Sequence, residues 1–232
     1  MFGLPINWGS WEALNHAVQT GLPAADKVVP GGFWAYFATH PEDNAIFNAA
    51  MEAKAHGQVA GVVAAYDFSG FRLIGDIGGG RGHLLRAVLD SVPDAKGVLF
   101  DLPHVVREAT DLASERLKLQ AGDFFKDALP SCDAYLLMEV IHDWGEADAV
   151  AILKAIRRPA PSKARLLLIE QIVPDDPGPH WTKTLDIHML ALLGGRQRTR
   201  PEYEALFASA GFAFERQIDT NAGISILEAI PA

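Results

Sequence analysis

Apolar positions recur at two different periods along this chain, and the change of period divides it. Between residues 41 and 66 they fall at helical spacing, at Ile46, Phe47, Ala50, Met51, Val59, Val62, Val63 and Tyr66. Such a stripe predicts one long helix. Pro41 suits its first turn, and Glu42 and Asp43 complement the positive end of the helix dipole. Phe47 and Met51 lie one turn apart on the stripe, where a side chain either packs in the core or faces a ligand. Residues 1–40 carry a dense aromatic set: Phe2, Trp8, Trp11, Phe33, Trp34, Tyr36 and Phe37. Short helices are expected over 10–20 and around 33–39, punctuated by Gly21-Leu22-Pro23 and Pro30-Gly31-Gly32. These aromatics read equally as cover for a core and as a wall of an aromatic substrate pocket.

From residue 70 the pattern becomes short apolar runs separated by helical stripes. Strands are expected at 72–77, 96–101, 117–121, 134–140 and 165–173, with helices at 82–91, 103–114, 145–157, 181–193 and 200–210. Two further runs, 212–219 and 224–230, flank Asn221-Ala222-Gly223 and read as a closing antiparallel hairpin. The fold class is therefore α/β: a mostly parallel seven-stranded sheet with an antiparallel terminal hairpin and preceding N-terminal helices. The organisation expected is a helical segment over 1–69 that contributes to the substrate pocket and a cofactor-binding catalytic domain over 70–232. The boundary falls at Asp67-Phe68-Ser69-Gly70. In such sheets ligands bind beyond the carboxyl ends of the strands.

The first strand runs into Asp76-Ile77-Gly78-Gly79-Gly80-Arg81-Gly82 and then into a helix. Glycines here allow positive φ and a close backbone approach, and the helix start offers free N–H groups. The spacing is Asp-x-Gly-x-Gly-x-Gly. A dinucleotide fingerprint would need its third glycine at His83, and a phosphate loop would need Gly-Lys-Ser/Thr, so neither applies. A nucleoside-type cofactor such as S-adenosylmethionine fits what is left. Asp101 ends the second strand, where an acid can accept both ribose hydroxyls; helix capping is the alternative role. Asp123 ends the third strand and can accept an exocyclic adenine amine, with Phe124 packing on the ring.

His142-Asp143-Trp144 follows the fourth strand. Glu170 sits in the otherwise apolar fifth strand, where an acid is costly without a partner. A histidine oriented by a carboxylate is general-base architecture. Asp186 and His188 form the nearest rival pair; they lie two apart on one helix and do not share a face, although Asp186 is placed to line the cleft.

Charge and composition narrow the partners. Among 232 residues the net charge is −9, with 49% hydrophobic residues and no basic run, which disfavours a nucleic-acid substrate. The single cysteine, Cys132, excludes an intrachain disulfide and reads as a small buried filler in a cytoplasmic protein. No signal peptide or membrane-length apolar run is visible. No metal cluster with ligand spacing is visible either.

Taken together, these motifs resemble the S-adenosylmethionine-dependent O-methyltransferases of the plant caffeate/flavonoid and bacterial natural-product type. The residues that carry the resemblance are Asp76–Gly82, Phe100-Asp101-Leu102-Pro103, Gly122-Asp123-Phe124-Phe125, His142-Asp143-Trp144, Glu170 and Gly194-Gly195-Arg196-Gln197-Arg198-Thr199. The resemblance implies a Rossmann-like class I methyltransferase sheet and methyl transfer to a hydroxyl of a small, aromatic molecule, leaving S-adenosylhomocysteine. It implies cofactor contacts at Asp76, Gly78, Gly80, Asp101, Leu102, Asp123, Phe124 and Met138, and no metal. It implies His142 as base with Glu170 and Gln197 beside it, and a substrate pocket including Phe47, Met51, Trp144 and Asp186.

Three departures stand out. Family members usually carry about a hundred further N-terminal residues that form a helical dimerisation domain; this sequence does not include them, whether as a trimmed chain or as a short variant, and the resemblance implies a homodimer. Met138 replaces a lysine that plant members carry four residues before the histidine. Gln197 replaces a glutamate that flanks the histidine. These departures leave room for a cofactor-binding relative that decarboxylates or hydroxylates, or for a non-catalytic scaffold.

Overall fold

The computed structural model describes residues 2–232. Its order is α1 (Pro5–Glu12), α2 (Leu14–Thr20), α3 (Ala25–Val28), α4 (Gly32–Thr39), α5 (Pro41–Ala65), β1 (Leu73–Ile77), α6 (His83–Ser91), β2 (Lys96–Asp101), α7 (Pro103–Glu108), β3 (Leu117–Ala121), β4 (Ala134–Met138), α8 (Glu146–Arg157), β5 (Arg165–Glu170), α9 (Trp181–Leu193), α10 (Arg200–Ala210), β6 (Phe212–Asp219) and β7 (Ser225–Pro231). Short 3-10 turns occupy Thr110–Leu112 and Ile141–Asp143.

Two compact units result. One comprises 56–141, 146–171 and 201–232 and holds a seven-stranded sheet of order β3-β2-β1-β4-β5-β7-β6. Strands β3, β2, β1, β4 and β5 pair in parallel, and β7 runs antiparallel to both β5 and β6. This is the α/β sheet with a terminal hairpin that the alternation of apolar runs implied. Strand order reverses between β1 and β4, so the carboxyl ends of those two strands flank the topological switch point.

Strand residues of one parity, among them Ala134, Leu136, Leu167, Ile169 and Ile226, share a core with Val59, Val62 and Tyr66 of the α5 region and Leu84, Leu85, Val88 and Leu89 of α6. Tyr135, Leu137, Leu166 and Leu168, of the other parity, are equally buried, as expected for a parallel sheet with both faces covered. Tyr66 Oη donates to Glu228 Oε1 at 3.0 Å, and Arg216 Nε donates to Glu228 Oε2 at 2.7 Å. These bonds tie the end of the α5 region to the closing hairpin.

The second unit comprises 1–55, 142–145 and 172–200. Its core is Leu4, Ile6, Ala25, Phe33, Tyr36, Phe37 and Leu192.

Several boundaries move. β4 stops at Met138 rather than residue 140, because Glu139 takes φ +53°, the one positive φ at a non-glycine among the described residues. β5 stops at Glu170 rather than 173. The helix expected over 103–114 breaks at Ala109 (φ −104°, ψ 12°) and continues as a 3-10 turn. The first helix starts at Pro5, not residue 10, and breaks at Ala13. α3 has no apolar period to announce it, being a single turn.

Candidate active site

In the sheet unit, the chain leaves β1 through Gly78, Gly80 and Gly82, at φ +70°, +58° and +71°. An L side chain would be strained at each of these. Gly78 N–H donates to Phe100 O at 2.8 Å, pinning the loop to the end of β2. A Cβ at Gly79 would strike the Asp76 carboxylate, whereas one at Gly80 would meet nothing within 4 Å. The loop is thus packed on its inner side and open at Gly80. No side chain caps α6, and the Leu85 N–H in its first turn acts on Asp76.

Asp76 lies beneath this loop, 1% exposed, and neither carboxylate oxygen makes a hydrogen bond. Burial, then the nearby Asp101 charge, pushes its pKa up to about 7; the Leu85 N–H, outside ordinary hydrogen-bond geometry, opposes the shift. Asp101, at the tip of β2, accepts the Gly80 N–H on Oδ2 at 2.8 Å and the Leu102 N–H on Oδ1 at 2.7 Å. Burial raises its pKa, and those two N–H groups and the His104 charge oppose the rise.

Asp123 is partly exposed and engaged in its own turn. It accepts Phe125 N–H at 2.9 Å and Lys126 Nζ at 2.8 Å, and Lys126 holds its pKa below the usual carboxylate range. Phe124 lies beside the loop, its Cε1 3.8 Å from a Cβ built on Gly78; Val140 approaches to 3.1 Å. Leu102 is exposed and Met138 is half-buried against the core.

Three residues missed by the sequence reading hold the end of β4. Gln171 Nε2 donates to Glu139 Oε1 at 2.9 Å and Gln58 Nε2 to the same oxygen at 3.4 Å, while Glu139 N–H donates to Ile169 O at 2.9 Å. These bonds over-determine a strained backbone position. Glu170 is fully buried, and its Oε1 accepts Ile141 N–H at 2.9 Å, fixing the residue immediately before His142.

In the second unit, His142 is 7% exposed, and its Nε2 lies 3.3 Å from Asp143 Oδ1. The 194–198 segment clamps this turn. Arg196 N–H donates to His142 O at 2.9 Å, and Arg198 Nη2 donates to Trp144 O at 3.1 Å. A Cβ at Gly195 would collide with His142 O and with the Asp143 carbonyl. Gln197 N–H donates to Asp186 Oδ1 at 2.8 Å. The Gln197 side chain is 2% exposed, yet neither amide atom has a partner. The amide therefore makes no hydrogen bond to the imidazole.

His188 points elsewhere. Its Nδ1 accepts Trp11 Nε1–H at 2.9 Å, and burial pulls its pKa down to about 4, so it stays neutral. Phe47 joins Phe33, Trp34 and Phe37 in an aromatic cluster, with the Phe37 ring stacked at 4.8 Å. Met51 and Trp144 are half-buried. Gly195 and Arg198 stood in a motif already noted; what the sequence did not disclose is that they pack on or bond to backbone carbonyls 52 to 54 residues away, at His142, Asp143 and Trp144.

The chain matches the O-methyltransferase domain family over residues 11–213. It belongs to that family. It is 41% identical over 227 residues to phenazine O-methyltransferase PhzM of Lysobacter antibioticus, covering 96% of this chain and 67% of the relative. Its fold matches the mitomycin 7-O-methyltransferase MmcR with a TM-score of 0.92 at 36% identity, covering all of this chain and 70% of that one. It also matches an O-methyltransferase of neocarzinostatin biosynthesis solved with S-adenosylhomocysteine and 1,4-dihydroxy-2-naphthoic acid, with a TM-score of 0.82 at 31% identity over 96% of this chain and 68% of that one. The chain spans about two thirds of the length of the curated relatives it matches.

For this O-methyltransferase domain, the open glycine loop, the orphaned Asp76 carboxylate and Asp101 fit S-adenosylmethionine, a cation carrying a ribose. Among the described residues there is no group of three or more His, Cys, Asp or Glu that could hold a metal, and no helix is long and apolar enough to cross a membrane.

Proposed function

We propose that this chain is the catalytic portion of an S-adenosylmethionine-dependent O-methyltransferase acting on a hydroxyl of a small aromatic molecule. The observation that carries the reading is Asp101 at the tip of β2, bound to the Gly80 N–H of an open glycine loop at the switch point. S-adenosylmethionine supplies the electrophilic methyl group when bound. Gly78, Gly80 and Leu102 offer backbone groups to it, Asp101 takes the ribose hydroxyls, and Asp123 with Phe124 takes the adenine. Met138 contributes an apolar contact where a lysine would offer a polar one.

His142 accepts the proton of the acceptor hydroxyl. A phenol has a pKa of about 10 and a free histidine about 6.5, so complete transfer before attack would cost about 5 kcal/mol. The proton therefore moves as the new bond forms. Glu170 holds the Ile141 N–H and so fixes the backbone from which His142 projects, and Asp143 stabilises the imidazolium through its Nε2 contact. Phe47, Met51, Trp144 and Asp186 belong to the acceptor pocket. Supplying methyl-labelled S-adenosylmethionine with a set of hydroxynaphthoic acids tests the reading. Label in a product methyl ether supports it, and decarboxylated or hydroxylated product without label overturns it.

Gln197 separates stability from activity. Both of its buried amide atoms are unpartnered, and a buried unsatisfied polar group costs about 1–3 kcal/mol. Gln197→Leu, of similar volume, is expected to raise the denaturant midpoint and to leave turnover little changed, since the amide makes no bond to the imidazole. A tenfold loss of turnover in that variant would return Gln197 to the catalytic set.

A further inference from the structure

The geometry points to Asp76 as a proton-exchange site for the cofactor: binding of cationic S-adenosylmethionine drives a proton off its carboxyl group into solvent. The inference rests on the methyltransferase reading above and adds a linkage to it.

Asp76 is in an unusual position for an acid. It is 1% exposed, and both oxygens lack a hydrogen bond. Its neighbours across the sheet, Leu99 on β2 and Leu136 on β4, are apolar. Above it, the backbone at Gly79 approaches so closely that no side chain fits between them. The one nearby charge of its own sign is Asp101, which spends its oxygens on the Gly80 and Leu102 N–H groups. The ionisable groups that follow in this region are Arg81 in the glycine loop, His83 at the start of α6 and His104 on α7; of these, His104 acts on Asp101. Among the described residues no cation therefore stabilises an Asp76 carboxylate in the free protein, and the Leu85 N–H offsets only part of the cost of its charge. Burial and Asp101 keep it protonated up to about pH 7.

A cation arriving at the glycine loop reverses that balance. The carboxyl O–H bond breaks, the proton passes to the buffer, and the carboxylate left behind lies beneath the loop that carries the positive ligand. No electrons are exchanged. The sign of the folding linkage is the opposite of that for a salt-bridged aspartate. The folded free protein binds more protons than the unfolded chain between about pH 4 and pH 7, so its stability falls as pH rises through that window. Cofactor affinity runs the other way. It weakens as pH falls below 7, approaching about tenfold per unit once Asp76 is fully protonated.

Calorimetric titration with S-adenosylmethionine in phosphate and in Tris, at matched pH, reads the proton directly. Release of about half a proton is expected at pH 7, rising toward one at pH 6. Asp76→Asn should abolish the buffer dependence, whereas His83→Gln and His104→Gln should keep it. The infrared C=O stretch of a protonated carboxyl gives a second reading that histidines do not share. It should be present in the free protein at pH 6.5 and lost when S-adenosylmethionine is added. Buffer-independent heats with intact binding, or no protonated-carboxyl band in the free protein, would overturn the proposal and leave the methyltransferase reading standing. Absence of binding with the band present would instead strike at the cofactor assignment beneath it.

Discussion

Replacing His142 with alanine should lower turnover by about 10²–10⁴-fold, the usual worth of a positioned general base, while S-adenosylmethionine affinity changes by less than twofold. The split follows from where the residues sit. His142 belongs to the unit built from 1–55, 142–145 and 172–200, whereas Asp76, Gly78, Gly80, Asp101 and Phe124 belong to the sheet unit. On the proposed reading the substitution removes the proton acceptor and leaves the residues assigned to the cofactor unchanged. His142→Gln should be nearly as impaired, since an amide of similar reach hydrogen-bonds but does not take a proton at neutral pH. Near-normal turnover in either variant, with methyl transfer intact, would take the base assignment away from His142.

Gly195→Ala should be the most damaging small substitution in the clamp. Its Cβ would overlap the His142 carbonyl oxygen and come within 2.6–2.7 Å of the Asp143 carbonyl. Those atoms are backbone and cannot rotate aside, so the 142–144 turn or the 194–198 segment must shift. Arg196 N–H to His142 O and Arg198 to Trp144 O would lengthen together. Forced overpacking of this kind costs about 1–3 kcal/mol, and a displacement of about 1 Å at a catalytic group costs about a hundredfold in rate. Both losses are expected, measured by urea unfolding and by turnover on the same preparation. Gly145→Ala is the control. Its Cβ would find only Gly194 O, at 3.9 Å, so it should alter stability by less than about 1 kcal/mol, within the ordinary range for a site free of special strain. Equal losses in the two variants would mean that the clamp is not what places His142.

The sheet was legible because its signal is local and repeated. Apolar runs such as Leu136-Leu137 and Leu166–Ile169 are fully buried in parallel pairs, and such runs report a strand without any knowledge of its partners. The glycine loop was legible for the same reason: a strand, three alternate glycines and a helix lie contiguous in the chain. The ends of strands were less so. β4 was expected to continue to residue 140, since Val140 is as apolar as what precedes it. What stops the strand is the left-handed backbone at Glu139, held by Gln58 and Gln171 from residues 81 and 32 positions away. No period in the sequence encodes that.

The chemistry divides along the same line. Asp101 at a strand tip could be read from position. The unpartnered state of Asp76 could not, because it depends on what surrounds the carboxylate rather than on the residue itself. Gln197 was recognisable as an amide in place of an acid, and its burial without a hydrogen bond emerged only from the fold. Phe47 was open to two readings from its helical spacing, and the structure places it among Phe33, Trp34 and Phe37. A packing role for that partly buried ring follows, and its place in the acceptor pocket belongs to the proposed function.

Calorimetric titration of the purified chain with S-adenosylmethionine and, separately, with S-adenosylhomocysteine tests the central claim most directly. Saturable micromolar binding of both ligands is predicted, and it should be lost in Asp101→Ala, which removes the proposed ribose acceptor and the Gly80 anchor together. Absence of heat with both ligands, from a chain shown to be folded, would contradict the account.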